Sequence, residues 1–179
     1  MNSENAEAED IDRAGPIRRF LTDDHRRFDA LLEQTGDCSS AEELAAYHQF
    51  RRGLLKHIGI EEKILLMAAQ RLRGEPLEQA ARLRSDHGAL VALLMPAPTP
   101  AIIRALRAVI AAHNPIEEGP GGVYDICEQL AQAEAGDLLK RIREAPEVPT
   151  NPNLTNPRIL EATRRALARA GYDPALLDE

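Results

Sequence analysis

Four long stretches of this chain place apolar residues three and four positions apart, and glycine or proline stands between them. That spacing suits a helix turning about 100° per residue and does not suit a strand, whose side chains alternate with a period of two. The first stretch opens at Pro16, a residue well tolerated at the first helical position, and runs to about Gln34 ahead of Gly36. The second begins at Ser39-Ser40-Ala41-Glu42-Glu43, which has the form of a capping box, and continues to about Arg73, with Gly74 after it. A third spans about Pro76 to Met95, before the break at Pro96-Ala97-Pro98-Thr99-Pro100. The fourth starts near Thr99 and holds its apolar face through His113. Asn114-Pro115 and Gly119-Pro120-Gly121-Gly122 disturb it, and the helical period resumes over Val123 to about Arg143.

These features predict an all-α protein, an up-down antiparallel four-helix bundle over residues 16–145 with an extra C-terminal helix. Residues 1–15 read as a disordered acidic tail. Residues 146–179 read as a Pro/Asn-rich linker and a short helix over about Arg158–Ala170, which packs on the bundle or joins a protein partner or a second copy. Its basic side, Arg158, Arg164, Arg165 and Arg169, reads as a solvated face.

Composition removes several classes of function. With 44% apolar residues in 179, the chain has material for a core without staples. A net charge of −7 argues against nucleic acid, whose phosphates are held by clustered Lys and Arg. Cys38 and Cys127 are too few for a disulfide framework or a four-thiolate metal site. No apolar run approaches the roughly 20 residues of a membrane helix, and the acidic start MNSENAEAEDID is unlike a signal peptide, so a cytoplasmic protein is expected.

The five histidines carry more information. His25 with Ala30, Leu31 and Leu32 matches His87 with Ala92, Leu93 and Leu94, and Asp24 and Asp86 precede the two histidines. Likewise His57-Ile58-Gly59-Ile60-Glu61-Glu62 matches His113-Asn114-Pro115-Ile116-Glu117-Glu118. The chain is thus two helical hairpins of one design, a helix with a lone His followed by a helix with His-x-x-x-Glu-Glu. Positions four apart share a helix face, so Glu61 lies with His57 and Glu117 with His113. Each of the four histidines falls on or beside the apolar stripe of its helix. His48, nine positions before His57, falls about 180° round the same helix and belongs to no site.

A lone buried histidine is usually a satisfied core residue. Four of them, one per helix, with two carboxylates on the same faces, point instead to metal. Two glutamates near one axis would repel each other in a metal-free core, and buried carboxylates are costly unless paired. Two divalent cations would offset that cost. Imidazole and carboxylate without thiolate suit iron or manganese, with zinc a further option. Glu62 and Glu118 are read as solvent-side groups or as groups that orient the ligands, and the same holds for Asp24 and Asp86. Tyr124 and Tyr47 are within reach of hydrogen bonds near the metals, though ordinary packing is the simpler expectation.

The order of these residues resembles the hemerythrin-like family, the HHE cation-binding domain, whose pattern is His, His-x-x-x-Glu, His, His-x-x-x-Glu. This chain supplies His25, His57 with Glu61, His87, and His113 with Glu117 over roughly residues 16–135. Ferritin-like di-iron proteins place Glu three residues before His, and no histidine here has that neighbour. The resemblance implies two non-haem iron ions, oxo- or hydroxo-bridged, with the two Glu bridging and the His terminal. It also implies binding of, or reaction with, O2, peroxide or NO; the alternative is a non-catalytic oxygen, redox or iron sensor acting through a protein partner. Two departures matter. Oxygen-carrying hemerythrins have a second His four residues after the one on the third helix, where this chain has Val91. Pro115 interrupts His113-x-x-x-Glu117 and predicts a kinked helix with Glu117 still coordinating, Glu118 being the substitute if the backbone rotates.

Overall fold

The computed structural model describes residues 15–178, so most of the expected acidic tail lies outside the described residues. Helix α1 (Pro16–Gln34) begins with Pro16 at its first turn and has no cap from its own side chains. A carboxylate from far along the chain does that work: Glu128 accepts hydrogen bonds from the backbone N–H groups of Ile17 at 2.8 Å and Arg18 at 3.2 Å. A Cβ at Gly15 would collide with the same Glu128 side chain, so this approach requires glycine.

Helix α2 (Ala41–Ile60) starts at the expected capping box, with Glu43 N–H donating to Ser40 Oγ and Ser40 N–H to Glu43. The expected single helix to Arg73 is interrupted in register. Residues Glu61–Leu65 form one π turn, in which Leu66 N–H reaches back to Glu61 O, before α3 (Leu66–Arg73) closes on left-handed Gly74. The extra residue rotates α3 relative to α2, so Leu66 and Ala69 are buried with Leu65 and Ala68.

Helix α4 (Ala80–Leu93) is shorter than the predicted Pro76–Met95. Leu77 accounts for the difference at its start, because it fills the core from a turn that precedes the helix. Helix α5 (Pro100–Glu118), capped by Thr99, runs through Pro115 without a break. The predicted helix over 123–143 is two helices, α6 (Val123–Ala131) and α7 (Ala135–Arg143), parted at Gln132, whose φ is +34°. Helix α8 (Pro157–Arg169) comes next, capped by Asn156, and a 3-10 turn at Pro174–Leu177 ends the described chain. The described residues form no strand, only a single parallel bridge between Pro96 and Leu154. The fold is all-α, and no helix of the described residues is long and apolar enough to cross a membrane.

Two apolar clusters enclose a polar layer. One contains Phe28, Leu54, Leu90 and Leu106, the other Leu21, Ile60, Leu83 and Tyr124. Along α1, Leu21 and Phe28 flank His25; along α2 the order of clusters reverses, with Leu54 before His57 and Ile60 after it. Helix α4 repeats the order of α1, and α5 enters the layer from the same side as α2. Successive histidine-bearing helices therefore cross the layer in alternating directions, with α1 packed on α2 and α4 on α5. The segment after residue 146 is tied down. Buried Arg51 donates to Leu94 O and Asn151 O, Asn153 donates to Pro96 O, and α8 packs against α4.

Candidate metal centre

The helices bring His25, His57, Glu61, His87, His113 and Glu117 into that layer, none more than 5% exposed. His48 is exposed on the far side of α2. The six residues form two overlapping groups that could each hold a metal ion. His25, His57, Glu61 and Glu117 make one, and Glu61, His87, His113 and Glu117 the other; the donor atoms of each lie within 4.8 Å of one another. Both glutamates belong to both groups. Pro115 does not displace Glu117, whose Oε2 lies 3.1 Å from His113 Nε2, one turn back on the same helix.

Every imidazole turns Nε2 inward and Nδ1 toward a second carboxylate. His57 Nδ1 lies 3.2 Å from Asp24, His87 Nδ1 2.8 Å from Glu62, His25 Nδ1 3.3 Å from Glu118, and His113 Nδ1 3.5 Å from Asp86. An ionised carboxylate only accepts, so the three shorter contacts put the proton on Nδ1 of His57, His87 and His25 and leave Nε2 free for a ligand, while His113 Nδ1 stands at ion-pair distance from Asp86. The repeat in the sequence is thus also a repeat in space, with a twist. Each Asp serves the His of its own hairpin, whereas Glu62 and Glu118 serve the lone His of the opposite one. Three of the four outer carboxylates are held in turn by arginines, Asp24 by Arg27, Asp86 by Arg82 and Glu62 by Arg84. Asp86, fully buried, also accepts from the Tyr172 hydroxyl at 3.1 Å, which ties the C-terminal segment to His113.

With protons as the only cations, the field of these carboxylates is plain. Burial opposes charge on His57, but Glu61 and Asp24 overcome it and raise its pKa to about 10. Burial likewise opposes charge on His87, which Glu117 and Glu61 push up to about 11. His113, opposed by burial and favoured by Asp86 and Glu117, rises to about 9. Burial would raise the Glu61 pKa, yet the charge of His57 holds it well below the ordinary carboxylate range. Glu117 is lowered as well, His113 and His87 prevailing over burial and the repulsion of Glu61. The layer calls for positive charge. Protonation answers only part of that call, for Glu61 Oε2, Glu117 Oε1 and His87 Nε2 are buried without a hydrogen-bond partner. Orphaned inward-facing atoms of these types fit a cation bound among them.

A small cavity touches the layer from the Phe28 side. Its volume is about 10 Å³, and it is lined by apolar Phe28, Leu54, Ile58, Leu90 and Ile110 beside His25, His57, Glu61 and His113. That is room for roughly one water-sized molecule.

Tyr124 was the residue that periodicity undervalued. Its hydroxyl, within reach of the metals though packing was the simpler expectation, enters the layer from the opposite cluster and donates to Glu61 Oε1 at 2.5 Å. The available signal was a tyrosine in the apolar stripe Val123, Tyr124, Cys127, Ala131, since a buried phenol needs a polar partner. Tyr47 is buried too, but it packs with His48 and Phe50 away from the layer. Comparison with protein-family models, curated proteins and solved structures finds no match for this chain.

Proposed function

We propose that this chain is a hemerythrin-like protein with a dinuclear non-haem iron centre that binds or reacts with O2, peroxide or NO. His25 and His57 would hold one ion, His87 and His113 the other, and Glu61 and Glu117 would bridge them. The observation that carries the reading is the pair of four-donor groups sharing both glutamates. The donor set, nitrogen and oxygen without sulfur, favours iron or manganese over a thiolate metal, with zinc the remaining option. Iron would supply open coordination positions and a change of oxidation state. The protein's own part is to fix the imidazole tautomers through Asp24, Asp86, Glu62 and Glu118, to keep water out with two apolar clusters, and to admit one small molecule through the cavity at Ile110.

The test is direct. Protein reconstituted anaerobically with ferrous iron is expected to hold about two ions per chain and to form a spectroscopic adduct with NO. Ile110→Phe, which fills the cavity, should keep the iron and lose most of the adduct. Fewer than about one iron per chain would sink the reading.

A second reading, a sensor acting through a partner, is favoured by the Tyr172–Asp86–His113 connection, because it joins the centre to a segment outside the repeat. Asp86→Asn is expected to weaken metal binding about 10- to 100-fold by removing the charge that orients His113. Isothermal titration with a divalent ion measures it; unchanged affinity would show that the connection carries nothing.

A further inference from the structure

The Tyr124 oxygen lies 2.5 Å from Glu61 Oε1, 3.1 Å from Glu117 Oε2, 3.1 Å from His25 Nε2 and 3.2 Å from His57 Nε2. These are the inward atoms of all four members of one donor group. The phenol oxygen can accept from a protonated imidazole, but its one proton serves only one carboxylate, so hydrogen bonding leaves the second carboxylate contact without a proton. The spacing within the group has its own meaning. His25 Nε2 and His57 Nε2 are 3.0 Å apart, His57 Nε2 and Glu61 Oε1 3.2 Å, and His25 Nε2 and Glu117 Oε2 3.5 Å. Adjacent donors on an octahedral ion with bonds of about 2.1 Å stand about 3.0 Å apart. Three spacings of this size, with the phenol oxygen 2.5–3.2 Å from all four donors, suit neighbouring positions around one ion.

The other group is different. Its atoms without a hydrogen-bond partner, Glu61 Oε2, Glu117 Oε1 and His87 Nε2, face one another and have no oxygen of this kind among them. One turn beyond His87 stands Val91, which has no donor to offer. The internal repeat makes the two groups alike in their His and Glu; α6, which neither hairpin repeats, makes them unlike.

We infer that Tyr124 is a fifth protein ligand to the ion held by His25, His57, Glu61 and Glu117, so that the two ions of the centre are chemically inequivalent. The inference rests on the dinuclear reading above. Ligation exchanges the phenol O–H bond for an oxygen–metal bond, and the proton leaves to solvent. No electron moves in that step. An anionic, hard oxygen donor on one ion alone favours its higher oxidation state, which gives the pair a built-in order of oxidation.

Resonance Raman spectra of the diferric protein test this. Wild-type protein should show a visible phenolate-to-iron charge-transfer band whose excitation enhances tyrosinate ring modes, and those modes should shift in protein grown on ring-deuterated tyrosine. Tyr124→Phe should abolish band and modes and bind one of its two ions at least about tenfold more weakly, with helicity by circular dichroism unchanged. Tyr47→Phe and Tyr172→Phe should keep both band and modes. Wild-type protein with two irons and no tyrosinate modes would overturn the ligand assignment while leaving the dinuclear reading intact, and the isotope measurement decides this even if Tyr124→Phe does not fold. Protein that takes up no iron would overturn both.

Discussion

On the dinuclear reading, Glu61→Ala is expected to empty both ion positions together, with affinity falling at least about a hundredfold at each, while His48→Ala keeps the full complement. The asymmetry between these two residues of one helix follows from geometry. Glu61 belongs to both donor groups, is 1% exposed, and sends Oε1 toward His57 and Oε2 to within 3.2 Å of His87 Nε2. Its loss leaves each group with two imidazoles and one carboxylate. His87→Ala, by contrast, touches one group only and should leave an ion at the other. Metal analysis after gel filtration reads all three variants. A Glu61→Ala protein retaining one ion at wild-type affinity would break the claim that the carboxylate is shared. An empty His48→Ala protein would break the helical register on which the site is built.

On the dinuclear reading, stripping the metal should cost the protein roughly 15–30 °C of thermal midpoint. An ion present at a thousandfold over its dissociation constant adds about 4 kcal/mol to the folded state, and two such ions add about twice that. In a domain of this size each kcal/mol moves the midpoint by about 2–4 °C. The stripped protein should also be alkali-labile. His57, His87 and His113 have pKa values raised above the ordinary imidazole value, to about 10, 11 and 9. A raised value means that protonation stabilises the fold; the contribution is complete below about pH 6.5 and is lost as pH climbs through the folded values. The lowered Glu61 and Glu117 act in the opposite window, contributing above their ordinary pKa and failing as the solution is acidified. Stripped protein should therefore lose stability progressively between about pH 6.5 and 11, and metal-loaded protein should lose much less there. Melting curves across that range, with and without chelator, give the answer. Parallel curves would mean that the imidazolium charges do not hold the stripped layer together.

Much of the site was legible because its donors ride on regular helices. Spacings of four put Glu61 with His57 and Glu117 with His113, and a separation of nine set His48 aside; the structure has each where those angles place it. What periodicity could not give was anything that depends on a neighbouring helix. Asp24 and Asp86 lie about 100° from the histidines that come after them, so they look peripheral on their own helices, and each turns out to face the imidazole of the next helix. Which of Tyr124 and Tyr47 enters the layer was hidden for the same reason, since α6 lies beyond a Gly-Pro break that resets the phase. The π turn after Glu61 carries no glycine or proline to announce it, and Gln132 takes a positive φ with no residue that favours one. The Pro/Asn-rich stretch read as a linker because it lacks a period, yet Arg51, an arginine in the middle of α2, holds it against the end of α4.

The exchange of Glu62 and Glu118 between the hairpins has a consequence for assembly. Neither hairpin alone contains a finished donor group, since one needs Glu117 from the second half and the other needs Glu61 from the first. Nor can either fix its own lone histidine, whose tautomer is set by a carboxylate from across the layer. A nascent chain that has made only its first half thus presents two imidazoles and one carboxylate with an unfixed ring, a weak trap for any ion. Capture would become strong only when residues about 90 positions apart have docked, so it would come late and seal an arrangement that packing has already chosen. In this architecture a bound ion would serve as a clasp between two halves, closing last and opening first.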